Sequence, residues 1–119
     1  MALTNNQITQ NSRILSVGAY RPQTVVPNSE IVDLIDSTDE WIQQRTGIKT
    51  RHRAAADESL VDMSIEASKI AIQRAGISAE DIDSVIFATI SYPFQAPRAA
   101  TELAARLGIN KAAALDISA

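Results

Sequence analysis

The sequence predicts an α/β fold built on a strand–helix–strand unit. Three features carry this reading. From Leu60 to Ala75, the residues Leu60, Met63, Ala67, Ile70, Ala71 and Arg74 recur at helical spacing. Two short apolar runs follow, Ser84 to Ile90 and Ala112 to Ile117. Between them Ala100, Leu103, Ala104 and Leu107 form the stripe of another helix. Such spacing calls for parallel strands buried on both faces, a right-handed crossover, and ligands at the carboxyl ends of the strands. Those ends are the Ser91 to Ala96 loop and Ser118-Ala119.

The remaining elements follow in order. Arg13 to Tyr20 is apolar-rich and bounded by Arg21-Pro22, the pattern of a strand entering a turn, with Gly18 marking a close backbone approach. Asn28 after Pro27 is placed to cap a short helix carrying Ile31, Leu34 and Ile35 and ending near Asp36. Ser37 or Thr38 caps a second helix, whose Asp39 and Glu40 suit the positive end of its dipole and which stops at Gly47. Ile48 to Arg53 reads as a short strand or extended segment. Ser59 caps the long helix, Gly76 ends it, and Ser78 to Asp81 makes one capped turn. Pro93 and Pro97 bracket a loop, with Pro97 suited to a first helical turn and Gly108 to the end of that helix.

A chain of 119 residues, 45% hydrophobic, has the length and apolar content of one packed domain. Its net charge of -3, with both signs scattered, gives no global attraction to nucleic acid or to an anionic membrane. The absence of cysteine excludes a disulfide framework, a thiolate metal site and a cysteine nucleophile within these residues. The first 12 residues lack a basic stretch followed by an apolar run and read as a polar tail, leaving 13–119 as the folded part. No window offers the roughly 20 apolar residues of a membrane span, so a soluble cytoplasmic protein is expected. The chain runs out straight from a buried strand, with no helix to cover the sheet's other face, so the fold reads as unfinished at Ala119.

Generic chemical motifs are sparse. There is no phosphate-cradling glycine loop, no His/Glu metal spacing and no nucleophile elbow. His52, the single histidine, has no nucleophile to serve and receives no catalytic role. The informative stretch is Asp36 to Arg53, where Trp41 and Arg45 fall on one helical face near Lys49, Arg51 and Arg53. An aromatic plane beside a guanidinium suits stacking on an adenine, with the basic run offered to phosphates. Alternatively Trp41 anchors a core and the basic run is a solvated edge strand.

The pattern Asp36-Ser-Thr-Asp-Glu-Trp-Ile, followed by Arg45-Thr-Gly-Ile-Lys-Thr-Arg51, resembles the N-terminal signature of β-ketoacyl-acyl-carrier-protein synthase III. The opening Ile14 to Pro22, the segment Ser64 to Ala67 and the ending Ala114 to Ala119 fit the same family. The resemblance implies the N-terminal half of a thiolase-like fold, an incomplete mixed sheet with covering helices. It implies a ping-pong reaction in which an acyl-CoA primer acylates a cysteine. Malonyl-acyl-carrier-protein is then decarboxylated, and its carbanion attacks the thioester. That cysteine, with a histidine and an asparagine, belongs beyond Ala119, so no catalytic residue carries over and the remainder of the enzyme is required. A stand-alone CoA-binding or dimerisation module without chemistry, or a thiolase-fold relative performing acyl transfer, is the alternative.

By the same resemblance, Trp41 matches the tryptophan that stacks on the CoA adenine, Arg45 the arginine beside it, and Ser37 a hydroxyl that bonds the base. Thr46 lies next to them at the tunnel mouth. The loop Ser91 to Pro97 matches a segment that crosses a homodimer interface to wall the partner's acyl pocket, through Gln95 and Ala96. A small Ala96 implies a longer or branched primer, unless it is simply a turn residue before a helix. CoA enters as a substrate thioester, with no separate cofactor and no metal. The basic run either meets an acidic carrier protein or is a solvated face.

Overall fold

The computed structural model describes residues 12–118. The expected polar tail, apart from Ser12, lies outside them, as does Ala119. Two small sheets are present among these residues. In the first, β1 (Thr24–Pro27) pairs antiparallel with β2 (Thr50–Arg53), Val25 opposite His52 and Val26 opposite Arg51. Two 3-10 turns, Asn28–Glu30 and Val32–Leu34, and helix α1 (Asp39–Thr46) connect them. In the second, β3 (Ser84–Ala88) pairs in parallel with β4 (Ala113–Ile117), with Phe87 opposite Asp116. Helix α2 (Leu60–Ala75) precedes β3, and helix α3 (Ala99–Arg106) crosses over between the strands.

Helix α2 matches its sequence pattern at both ends because its signals are local. The Ser59 hydroxyl accepts the Asp62 amide, the Asp62 carboxylate accepts the Ser59 amide, and Gly76 closes the helix at φ 68°. Val61 and Ile65 face inward and meet Phe87, Ala99, Ala100 and Leu103 in a single cluster. Small alanines at the start of α3 let that helix lie close against the sheet.

Four expectations are corrected. Arg13 to Tyr20 forms no strand: it runs along α2 without regular secondary structure, tied by Ser16 Oγ to the Ala71 carbonyl (2.6 Å) and by Arg74 Nη1 to the Val17 carbonyl (2.9 Å). Gly18 is indeed the point of close approach, since a Cβ there would sit 2.0 Å from the Ala67 oxygen. The Asn28 to Asp36 segment makes 3-10 turns in place of a capped helix, because the Asn28 side chain is drawn into a buried tertiary network. Strand β3 stops at Ala88, and neither it nor β4 is buried on both faces: Phe87 is 7% exposed, whereas Ile86 and Leu115 are 61% and 57% exposed. Among the described residues, helices cover only one face of this two-stranded sheet. Helix α3 starts at Ala99, leaving Pro97 outside, because its first amides are bound by Asp116 from β4. Strand β1, absent from the sequence reading, is recruited by β2 across the intervening turns.

The Asp62 carboxyl is held down to about 2, first by the Ser59 hydroxyl and amide and then by the Arg106 guanidinium. In the unfolded chain it titrates near 4. A depressed native value contributes stability that is present above about pH 4 and is lost as pH falls toward 2. In acid-denaturation series the wild type should therefore lose more stability over that interval than Asp62→Asn. Parallel curves for the two would refute the assignment.

Candidate functional site

Helix α1 is built to present one side outward. Thr38 caps it, its hydroxyl accepting the Trp41 amide at 3.2 Å, and Gly47 closes it at φ 71°. Ile42 takes the buried position, so Trp41 and Arg45 point away from the core. Trp41 is 54% exposed, which removes its alternative reading as a core anchor. The Arg45 guanidinium carbon lies 5.5 Å from the centre of the indole, within cation–π range.

The base of α1 is tied down by Asn28, which is 1% exposed. Its Nδ2 donates to Asp39 Oδ1 (2.5 Å) and to the Ile48 carbonyl (2.8 Å), and its Oδ1 accepts Arg51 Nη1 (2.9 Å). Asp39 also accepts Gln43 Nε2 at 2.8 Å. These bonds, that from Asn28 foremost, hold the Asp39 carboxyl below the usual carboxylate range, with Lys49 adding to the effect. One buried amide thus joins the end of β1, the start of α1, the chain entering β2 and β2 itself. By sequence Asn28 is placed as a helix cap; in the structure it is a tertiary hub. The sequence offers a Pro-Asn pair after Val25-Val26, which does not distinguish a local cap from a tertiary hub.

Beside Trp41, a cavity of about 330 Å³ is lined by Ile35, Asp36, Ser37 and Thr38 together with the indole. Ser37 Oγ is buried at this corner and has no hydrogen-bond partner among the described residues. Asp36 beside it adopts φ 37°, a strained conformation for a residue with a side chain. The structure therefore brings Trp41, Arg45 and Ser37 together. Thr46 is engaged elsewhere, donating to the Ile42 carbonyl (2.7 Å) and accepting the Ile48 amide (3.1 Å) at the helix end. Of the basic run, Lys49 and Arg53 are exposed, while Arg51 is committed to Asn28. His52 Nδ1 donates to the Pro22 carbonyl at 2.6 Å, a link between segments.

Gln95 and Ala96 are exposed in the loop that leaves β3, and the Ala96–Pro97 peptide is cis. The carboxyl ends of β3 and β4 lie side by side, and the Thr89 amide bonds the Ile117 carbonyl at 2.9 Å. This loop and Ser118 accordingly occupy one edge, as the parallel pairing requires. Among the described residues no group of three or more His, Cys, Asp or Glu side chains is placed to hold a metal ion, and no helix is long and apolar enough to cross a membrane.

No family profile matches the chain. Among curated proteins it is 56% identical over 108 residues to beta-ketoacyl-[acyl-carrier-protein] synthase III 1 of Streptomyces avermitilis, covering 91% of this chain and 30% of that protein. It is 55% identical over 106 residues to the mycobacterial beta-ketoacyl-[acyl-carrier-protein] synthase III of Mycobacterium marinum, covering 89% of this chain and 32% of that protein. Among solved structures it resembles the priming β-ketosynthase of the R1128 polyketide pathway, with TM-score 0.84, 40% identity and coverage of 90% of this chain and 32% of that one. The 3-oxoacyl-[acyl-carrier-protein] synthase III of Aquifex aeolicus VF5 matches with TM-score 0.84 and 36% identity, covering 92% of this chain and 35% of that one. The chain spans about a third of the length of the relatives it matches. It is homologous to the N-terminal part of the β-ketoacyl-[acyl-carrier-protein] synthase III family and carries that part of the thiolase-like fold.

Removing the hub should be felt at once. Asn28→Ala deletes three hydrogen bonds of a buried amide to part-buried groups of Asp39, Ile48 and Arg51 and should cost about 1–3 kcal/mol in denaturant unfolding. In the same variant the Asp39 carboxyl should titrate at higher pH, followed by carbon-detected NMR. An unmoved Asp39 titration would contradict the role given to Asn28.

Proposed function

We propose that Trp41, Arg45 and Ser37 form the adenine end of an acyl-CoA site. They would serve a whole protein that condenses an acyl-CoA primer with malonyl-acyl-carrier-protein, releasing carbon dioxide. The observation that carries this reading is the exposed indole, steadied by Arg45, beside a pocket whose buried Ser37 hydroxyl has no partner among the described residues. A flat apolar plane with an adjacent unsatisfied hydroxyl suits a nucleobase: the plane stacks and the hydroxyl bonds a ring edge. The homology supplies the reaction class. Thr46 flanks this surface at the helix end, and Lys49 and Arg53 are the exposed cations nearest in sequence for CoA phosphates or an acidic carrier protein.

The 119 residues contain no cysteine, so in this reading the acyl-accepting thiol, with its histidine and asparagine, would come from outside them. A thiol at the end of β4 would meet the loop of Gln95 and Ala96 at the same strand edge. In a cytoplasmic homodimer that loop would wall the partner's acyl pocket, with CoA entering as substrate and no separate cofactor.

Because Trp41 is the single tryptophan of this chain, CoA binding should quench its fluorescence. By calorimetry, Trp41→Ala should weaken CoA binding about 5- to 150-fold, the equivalent of about 1–3 kcal/mol of base stacking. Equal affinities would sink the site. In the whole protein Ala96→Phe should shift primer preference toward acetyl-CoA, as competition between acetyl- and branched acyl-CoA would show. An unchanged primer profile would count against the pocket-wall role.

A further inference from the structure

We propose that Asp116 is a positioning residue for the acyl pocket: its carboxylate, projecting from β4, fixes the start of α3 and thereby the loop carrying Gln95 and Ala96. The inference rests on the pocket-wall role proposed for that loop. Helix α3 has no cap of its own, since Arg98 at the N-cap makes no side-chain capping bond. Its first amides are bound from 17 and 16 residues away, Ala99 N donating to Asp116 Oδ2 at 2.9 Å and Ala100 N to Asp116 Oδ1 at 2.7 Å. Ala99 and Ala100 are both 0% exposed, so water cannot take over these bonds. A carboxylate is the natural partner here, offering two acceptor oxygens and a negative charge to the positive end of a helix.

The placement of this side chain matters more than its energy. Residues 89–98 leave the sheet where the Thr89 amide bonds Ile117 and return to it where Asp116 holds Ala99 and Ala100. Consecutive residues of β4 thus hold both ends of one loop. Between them Tyr92 braces the loop, its hydroxyl within 3.2 Å of the Pro97 carbonyl and 3.3 Å of Glu102. If β4 leads to the acyl-accepting thiol, Asp116 sets the separation between that thiol and the wall of the acyl pocket. Primer length would then depend on a residue that need not touch the primer.

The test uses the whole protein and Asp116→Asn, which keeps the shape but loses one acceptor and turns an NH2 group toward a buried N–H. Amide exchange at Ala99 and Ala100 should accelerate. The ratio of kcat/KM for acetyl-CoA to that for a branched acyl-CoA should shift about tenfold, the scale on which a pocket discriminates a methylene. Ser78→Ala, which removes the cap of the turn at Ala79–Asp81 ahead of β3, should lower Tm and leave that ratio alone. Unchanged exchange in Asp116→Asn, or faster exchange with the wild-type ratio, overturns the inference. An Ala96→Phe variant with no effect on the ratio overturns instead the reading of the loop on which it rests, so the two failures are distinct.

Discussion

The buried amide of Asn28 is the interaction on which the candidate CoA surface depends. Three of its four hydrogen-bonding positions are filled, by groups belonging to α1, to the segment before β2 and to β2. A buried polar group must be satisfied, and this one can be satisfied only when those segments converge. It therefore converts a local requirement into a tertiary one. The eight residues of α1 would be marginal as an isolated helix, and Ile42 is the one residue of the helix that is fully buried. The helix stands because Asp39 is bound at its base, and Trp41 projects where it does because the helix stands.

The second sheet is organised by the same device with the opposite sign of group. Asp116 accepts two amides, whereas Asn28 mainly donates to oxygens. Neither bond is between neighbours in sequence, and each joins the beginning of a helix to another element. Surface pairs such as Arg106 with Asp62, both partly exposed, are held at 2.6 Å but contribute far less, because water competes for both partners. Order near the candidate sites thus comes from a few enclosed polar bonds superimposed on a small apolar cluster.

That distribution explains what was legible in the sequence. Helix α2 could be read to the residue, since Ser59, Asp62 and Gly76 act within a turn of their own positions. The parallel pairing of β3 and β4 followed from strand length and crossover, and the close approach at Gly18 from the rarity of glycine inside an apolar run. Residues that act at a distance were misread. Asn28 has the chemistry of a local cap yet bonds across the fold, and Asp116 sits within an apolar run yet binds the next-door helix. The Arg13 to Tyr20 segment has strand composition, but composition does not supply a pairing partner. The expectation that β3 is buried on both faces failed for a related reason: an apolar run records what a strand tolerates, whereas its cover is decided by other segments.

The arrangement of Trp41 and Arg45 can be weighed against the ligand proposed for it. An exposed cation–π contact is worth about 0.5–1 kcal/mol, and base stacking on an aromatic about 1–3 kcal/mol. A base arriving on the face opposite the guanidinium adds to the existing contact and encloses the indole between two partners. A base arriving on the same face displaces Arg45 at a cost smaller than its own gain, and frees the cation to meet a phosphate. Either way the contact steadies the indole in the absence of ligand without closing the site. In the proposed site the Ser37 hydroxyl would then decide orientation, because a buried group without a partner among the described residues favours a ligand that presents a polar edge over one that merely stacks. Stacking would supply most of the affinity there, and the hydroxyl would favour a nucleobase over other flat molecules.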